Sequence, residues 1–199
     1  MEQMKREAGN YGFEYRMLDA GEARDMLPGL GPAVVGASFT PYDGHVSPLA
    51  LLRALHQSFT ALGGIYLPNI KITGIATAPF NFLLDTSAGN IKAERVVLAA
   101  GLGNAGLAPH FGLFAPVRPQ RGQVLVTERA RAVLPMPTTT IRQTGEGSIM
   151  LGDSIEEVGF DTRQTQPVMA EIAHRAALSF PWIGRLNVCL LYTSPRPRD

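Results

Sequence analysis

The sequence predicts an α/β fold with an α+β insertion: a helix and buried sheet strands, interleaved with strand-rich stretches that form an antiparallel sheet. Three observations predict it. A strong helix signal lies between Ser47 and Gly64, a β-branched run apolar on both faces follows at 95–100, and from Val117 onward the strands are short and joined by Gly and Pro. The 199 residues suffice for one or two domains with a core. Boundaries near His45 and Pro109 give the segments 1–45, 46–108 and 109–188, with a tail of different character at 189–199. There is no internal repeat and no flexible linker.

Taken in order, "FEYRMLD" alternates Phe13, Tyr15 and Met17 and predicts a strand with those residues on one face. Asp19 then caps a short helix, with Glu22 completing a capping box and Pro28 stopping it. "AVVGASFTPYDG" is a second strand running into a turn. Ser47 suits an N-cap and Pro48 the first helical position, Leu52, Leu55, Phe59 and Leu62 share one face, and Gly63-Gly64 ends the helix. The β-like runs "IYL", "IKITGIAT", "NFLLDT" and "RVVLAA" follow, then "GQVLVTE", "TTTIRQT" and "GSIMLGDS". A last helix over about 167–179 turns Met169, Ile172 and Ala176 to a core and halts before Pro181.

Composition removes several function classes. The chain is 45% hydrophobic and 18% charged with a net charge of +1, which gives no electrostatic case for nucleic acid or an anionic membrane. No apolar run reaches the roughly 18 residues of a membrane span. The charged start "MEQMKREAGN" does not read as a signal peptide, so a cytoplasmic protein is expected. The single cysteine, Cys189, supports neither a disulfide framework nor a cysteine metal cluster.

The last eleven residues, "CLLYTSPRPRD", abandon the preceding periodicity and match the translation of a sequencing adapter; the alternative is a natural Pro/Arg-rich tail. Residues 189–199 are therefore expected to be non-native and to make few contacts, because Pro195 and Pro197 obstruct ladder pairing. On that reading the natural protein continues past Val188 and the chain is a fragment.

One motif invites a dinucleotide. "ERVVLAAGLGNAG" contains Gly101-x-Gly103-x-x-Gly106, a literal G-x-G-x-x-G after a strand-like run. The motif works only where a helix begins at once, so that its free N–H groups meet the pyrophosphate. Here Pro109, Pro116 and Pro119 lie where that helix and its continuation would run, each interior proline costing roughly 3 kcal/mol. Glu128 ends a strand-like run but lacks the crossover that would bring it beside the first strand. The fingerprint fails, and with it the case for an NAD-linked Rossmann dehydrogenase.

Five segments in order resemble the D-amino-acid oxidase-like family of FAD-dependent oxidoreductases: "DGHVSPLALLRAL", "LGGIYLPNIKITGI", "AERVVLAAG", "PVRPQRGQVLV" and "GSIMLGDSIEEVGFD". "IRQTGEGSIMLGDSIEE" is similar to the branch that holds glycine oxidase, hydrogen cyanide synthase and opine oxidase subunits. Ser47 stands where that pattern has Asp or Asn, and Gly103-Asn104 stand where it often has Trp-Ser. The resemblance implies FAD as cofactor, a small amino or imino acid (glycine, a D-amino acid, a proline-like acid or an opine) oxidised at its C–N bond, and partner subunits of a hetero-oligomeric dehydrogenase, the route by which such a protein would reach the inner membrane. It assigns 46–108 to part of the FAD domain, and 1–45 and 109–188 to an antiparallel-sheet substrate domain.

The resemblance also places residues. The phosphate-binding glycines would precede this chain, and Ala100, Gly101 and Gly103 would instead lie on a strand returning beside the flavin. Ile72 would offer its backbone to the adenine, though core packing would demand the same residue. The main carboxylate-binding arginine would follow "LSFPWIGRLNV", beyond the chain, leaving Arg142 as the substrate-binding candidate, with a solvated surface arginine as the alternative. Arg118 and Arg121 would stabilise the domain crossing. His45, His56, His110 and His174 lack metal-ligand spacing, and no activated nucleophile is apparent, so no metal is expected and the catalytic residues stay unknown. A cofactor-free binding module is the alternative outside enzymology.

Overall fold

The computed structural model describes residues 14–131 and 133–198, so Phe13, placed in the first strand by its alternation, lies outside them. The chain forms two compact units. The first takes Met1–Ser47, Arg121–Glu156 and Thr162–Ser194, and the second Pro48–Gln120, Glu157–Asp161 and Pro195–Asp199.

In the first unit, β1 (Arg16–Asp19) leads directly into α1 (Ala20–Met26). Asp19 Oδ1 accepts from the N–H groups of Gly21 (2.8 Å) and Glu22 (2.9 Å), and Glu22 Oε2 accepts from the Asp19 N–H at 2.9 Å. This is the capping box the sequence predicts. The predicted face of β1 is reversed: Leu18 is buried and Met17 exposed. The partner strand β2 (Gly36–Phe39) pairs Leu18 with Ala37, which places the two on the same face.

A four-stranded sheet has the order β7-β8-β6-β9 and is built from β6 (Arg118–Arg129), β7 (Ile141–Gln143), β8 (Ser148–Gly152) and β9 (Val188–Arg198). Leu125, Ile141, Ile149 and Leu151 of one sheet face pack with Ile172 and Ala176 and with Phe180 and Ile183. Ile172 and Ala176 come from the helix Gln166–Ser179, whose inward residues the periodicity placed correctly. Leu27 and Leu30 also pack on this core, and the Gly31 N–H donates to Ser179 O at 2.7 Å. A Cβ on Gly31 would stand 2.5 Å from the Leu178 carbonyl, so only glycine permits that approach.

Two expectations are corrected. β1 and β2 form their own two-stranded sheet and do not join the strands of 117–154. Residues 189–198 do not hang free: they continue β9 alongside β6, with Leu191 packed on the core, while Asp199 lies outside the described residues. The Leu191 carbonyl accepts from Gln164 Nε2 (3.0 Å), and Thr193 Oγ1 donates to Thr162 O (2.7 Å). The two prolines do not prevent this, because proline is tolerated on a sheet edge.

In the second unit, α2 (Pro48–Ala61) starts at Pro48 and is closed by Gly63 at φ +86°, both as the sequence predicts. A three-stranded antiparallel sheet follows, of β3 (Ile72–Ala78), β4 (Asn81–Thr86) and β5 (Gly89–Ala93). The "IYL" run forms no strand, and Ile65, Tyr66 and Leu67 are exposed. Nor does the "RVVLAA" run: residues 95–100 carry no ladder and Val97 is 86% exposed. A run apolar on both faces becomes a strand only between neighbours that pair with it, and among the described residues none does.

Candidate functional site

The glycine stretch is a chain of short helical turns. Residues Gly101–Gly103 form a 3-10 turn, Asn104–Leu107 a single α-turn (α3), and Ala108–Phe111 another 3-10 turn, closed by Gly112 at φ +67°. The prolines do not abolish helical structure here, since Pro109 fits the start of its turn, but four α-helical residues do not make the helix that a pyrophosphate site requires. Asn104 holds the turn: its Oδ1 accepts from the Ala100 N–H at 3.0 Å and its Nδ2 donates to Leu98 O at 3.4 Å. Ala100 and Gly101 are exposed. Gly101 has φ +56° with nothing within 4 Å of where a Cβ would stand, so its backbone is bare on that side. Gly103 is exposed but helical, at φ −66°. Ile72 opens β3, half-buried and paired with Thr86, just before a register shift.

Glu128 is not a ribose acid here. Its Oε1 accepts from the Asn187 backbone N–H (2.8 Å) and Nδ2 (3.0 Å), and its own N–H donates to Asn187 O.

Arg142 lies on β7 opposite Met150 of β8, which in turn is opposite Val126 of β6. This row faces away from the core, whose own row is Ile141, Leu151 and Leu125. Arg142 is half-buried and its Nη1 donates to Val46 O at 3.2 Å. Among the described residues no ion pair engages it. Neighbouring Gln143 is fully occupied in its own turn, where Oε1 accepts from the N–H groups of Val133 and Leu134 and Nε2 donates to the carbonyls of Ala130, Arg131 and Gly147.

Sequence reading missed a buried polar network at the start of β6. Arg121 is 4% exposed and ion-paired through Nη2 to Glu156, and its Nη1 donates to Arg163 O at 2.9 Å. Gln123, 2% exposed, donates through Nε2 to Glu156 Oε1 and Thr165 Oγ1, both at 2.8 Å, and accepts from the Thr165 N–H. The Arg121 guanidinium, hydrogen-bonded to Glu156, holds that carboxyl down at about 2; Gln123 and Ser154 add to the effect against an opposing push from burial. The signal was in the alternation: Arg121, Gln123 and Thr127 share the parity of Leu125, and polar residues at inward positions must find partners. Arg118, by contrast, is exposed and reaches Glu157 at 3.6 Å.

Two hydroxyls complete the ladder where its register shifts. Ser154 Oγ accepts from the Gln123 N–H at 2.9 Å, and Thr127 Oγ1 accepts from the Ile149 N–H at 3.0 Å. Each satisfies a backbone donor that a bulge would leave alone. Among the described residues no group of His, Cys, Asp and Glu is placed to hold a metal ion, and His56 stacks edge-on to Tyr66 at 4.7 Å.

A family model described as "FAD dependent oxidoreductase" matches residues 1–197. The chain belongs to this family. It is 37% identical over 196 residues to an opine oxidase subunit of Agrobacterium tumefaciens (strain Ach5), covering 98% of this chain and 53% of that protein. Glycine oxidase of Geobacillus kaustophilus (strain HTA426) is 29% identical over 94% of this chain and 51% of its own length. The crystal structure of the Geobacillus kaustophilus glycine oxidase matches with a TM-score of 0.85 at 26% identity, over 96% of this chain and 53% of that one. L-proline dehydrogenase of P. horikoshii shares the fold, with a TM-score of 0.83 at 18% identity over 98% and 64% of the two chains. The chain spans about half the length of the curated relatives it matches, and its mixture of helices and antiparallel sheets is that of its structural neighbours.

Proposed function

We propose that the full-length protein oxidises the C–N bond of a small amino or imino acid, with Arg142 contacting the substrate carboxylate. The observation that carries this is Arg142 itself: a half-buried guanidinium, steadied by Val46 O, with no acidic partner among the described residues and with donors left for a carboxylate. The similarity to proteins named opine oxidase and glycine oxidase supports the reading. FAD, when bound, supplies the acceptor for the hydride leaving the amine-bearing carbon. The bare backbone at Gly101 fits close approach of a flat cofactor, and Ile72, Gly103 and exposed Ala100 are the further contacts we assign to it. The α3 turn does not fit a pyrophosphate, so that contact is assigned outside this chain.

Relatives named as subunits include one of an opine oxidase and one, HcnC, of a hydrogen cyanide synthase, and we read this protein likewise as one subunit of a cytoplasmic hetero-oligomeric dehydrogenase. Among the described residues no helix is long and apolar enough to cross a membrane. Cell fractionation and pull-down of the tagged full-length protein check compartment and partners.

The test compares the 199-residue chain with the full-length protein. The chain alone purifies colourless, whereas the full-length protein is yellow and reduces an artificial dye when given an amine substrate. A full-length protein that binds no flavin overturns the reading in favour of a cofactor-free module. Stoichiometric FAD on the chain alone returns the phosphate site to "GLGNAG".

A further inference from the structure

The row of side chains facing away from the core has a composition that selects among amines. Arg142 is its charged member, and its cross-strand neighbours Met150 and then Val126 are apolar. Adjacent strands lie about 4.8 Å apart, so the apolar part runs from beside the guanidinium for roughly the length of two strand spacings. Val126 is 9% exposed, yet it lies outside the core cluster. Met150 is half-buried, and a flexible thioether adapts to aliphatic chains of differing shape. Gln143 cannot supply an alternative polar contact, because its turn consumes its amide.

We propose that Arg142 and Met150 are the specificity-determining pair. The protein then prefers amines bearing both a carboxylate and an aliphatic arm of several carbons, and disfavours glycine, which has no arm. The inference rests on the substrate-binding role of Arg142 proposed above and names the substrate class of that site. A guanidinium in an apolar row favours a carboxylate over the neutral amide, since the amide offers one carbonyl acceptor and no countercharge where the carboxylate offers a bidentate, charge-assisted pair. Met150 rewards each methylene laid against it.

The test uses the flavin-loaded full-length protein and its Arg142→Met, Arg142→Lys and Met150→Ala variants, with equal flavin content showing that each is folded. Substrates are glycine, racemic norvaline, N-(1-carboxyethyl)norvaline and their amides. Binding is read independently of turnover, from the thermal shift that pentanoate and acetate produce. In the wild type, the better of the two longer acids is turned over with kcat/KM at least about 10-fold above glycine. Arg142→Met raises KM for that acid by about 10-fold or more, leaves kcat within about 3-fold, and erases the preference for acid over amide. Arg142→Lys restores part of that preference. Met150→Ala narrows the ratio of long acid to glycine and the ratio of pentanoate to acetate shift.

A wild type that prefers glycine, or a ratio of long acid to glycine unchanged in Met150→Ala, overturns this inference alone. An acid-to-amide ratio unchanged in Arg142→Met overturns the substrate-binding role of Arg142 as well. A flavin-loaded wild type that oxidises no amine overturns the proposed function and this inference with it.

Discussion

The two units of the chain obey the same sequence rules and reach different outcomes. In the first, the helix Gln166–Ser179 presents Ile172 and Ala176 to a sheet that buries them. In the second, α2 carries a cleaner apolar face, yet no residue of α2 is buried, and Leu52, Leu55 and Phe59 are all exposed. Periodicity tells which side of a helix would be covered. It does not supply the cover, and most helical stability in a protein comes from that packing. Stability should therefore be unevenly divided, which substitutions in each unit can test.

The largest effect is expected at the centre of the first unit. Phe180 and Ile149 are both 0% exposed within one cluster. Phe180→Ala should cost about 3–5 kcal/mol and Ile149→Ala about 2–5 kcal/mol, read as a fall in the urea midpoint with an unchanged slope. A cost below about 1 kcal/mol at both positions would remove the contrast between the units.

The polar network comes next. Glu156 is ion-paired to a buried Arg121 and its carboxyl is lowered from 4.5 to about 2. Because the folded-state value is the depressed one, its stabilisation is fully present above about pH 4.5 and drains away as pH falls toward 2. Glu156→Gln keeps the hydrogen-bonding shape and loses the charge. It should cost about 2 kcal/mol at pH 7, with a difference from wild type that shrinks steadily between pH 4.5 and 2. A difference that stays constant across that window would mean the pair contributes through packing alone.

How much of this was legible follows the sequence distance between partners. Asp19 and Glu22 lie three residues apart and declared their capping box outright. Ile172 and Ala176 did the same for their helix face. Arg121 and Glu156 are 35 residues apart, so no local pattern links them. Only the parity of β6 hinted that Arg121 needed a partner. Residues 95–100 failed in the opposite sense: a clear local pattern with no strand beside it among the described residues. The candidate site divides in the same way. The sequence singled out Arg142 and the Gly101 turn as residues, but the row with Met150 exists only because β7 and β8 pair in that register.

The ladder hydroxyls should show a smaller effect. Thr127→Val keeps the volume and removes the oxygen that accepts the Ile149 N–H. That leaves a buried backbone donor unsatisfied, at a cost of about 1–2 kcal/mol. Hydrogen exchange at Ile149 should accelerate beyond what the global loss explains. Uniform acceleration across β6 and β8 would argue that the hydroxyl only fills space.

The smallest effect belongs to α2, and it is where the comparison is sharpest. Leu55 is 58% exposed on the apolar face of a helix with no buried residue. Leu55→Ser in the 199-residue chain should shift stability by less than about 0.5 kcal/mol, as expected for a surface position. The same substitution in the full-length protein is the informative partner experiment. If additional chain covers that face, the cost rises to about 2–3 kcal/mol, the transfer free energy of a buried leucine side chain and more. A cost that stays below about 0.5 kcal/mol in both proteins would show that α2 keeps its leucines in water by itself. Its periodicity would then serve association with another molecule, and the exposed face would be read as an interface in its own right.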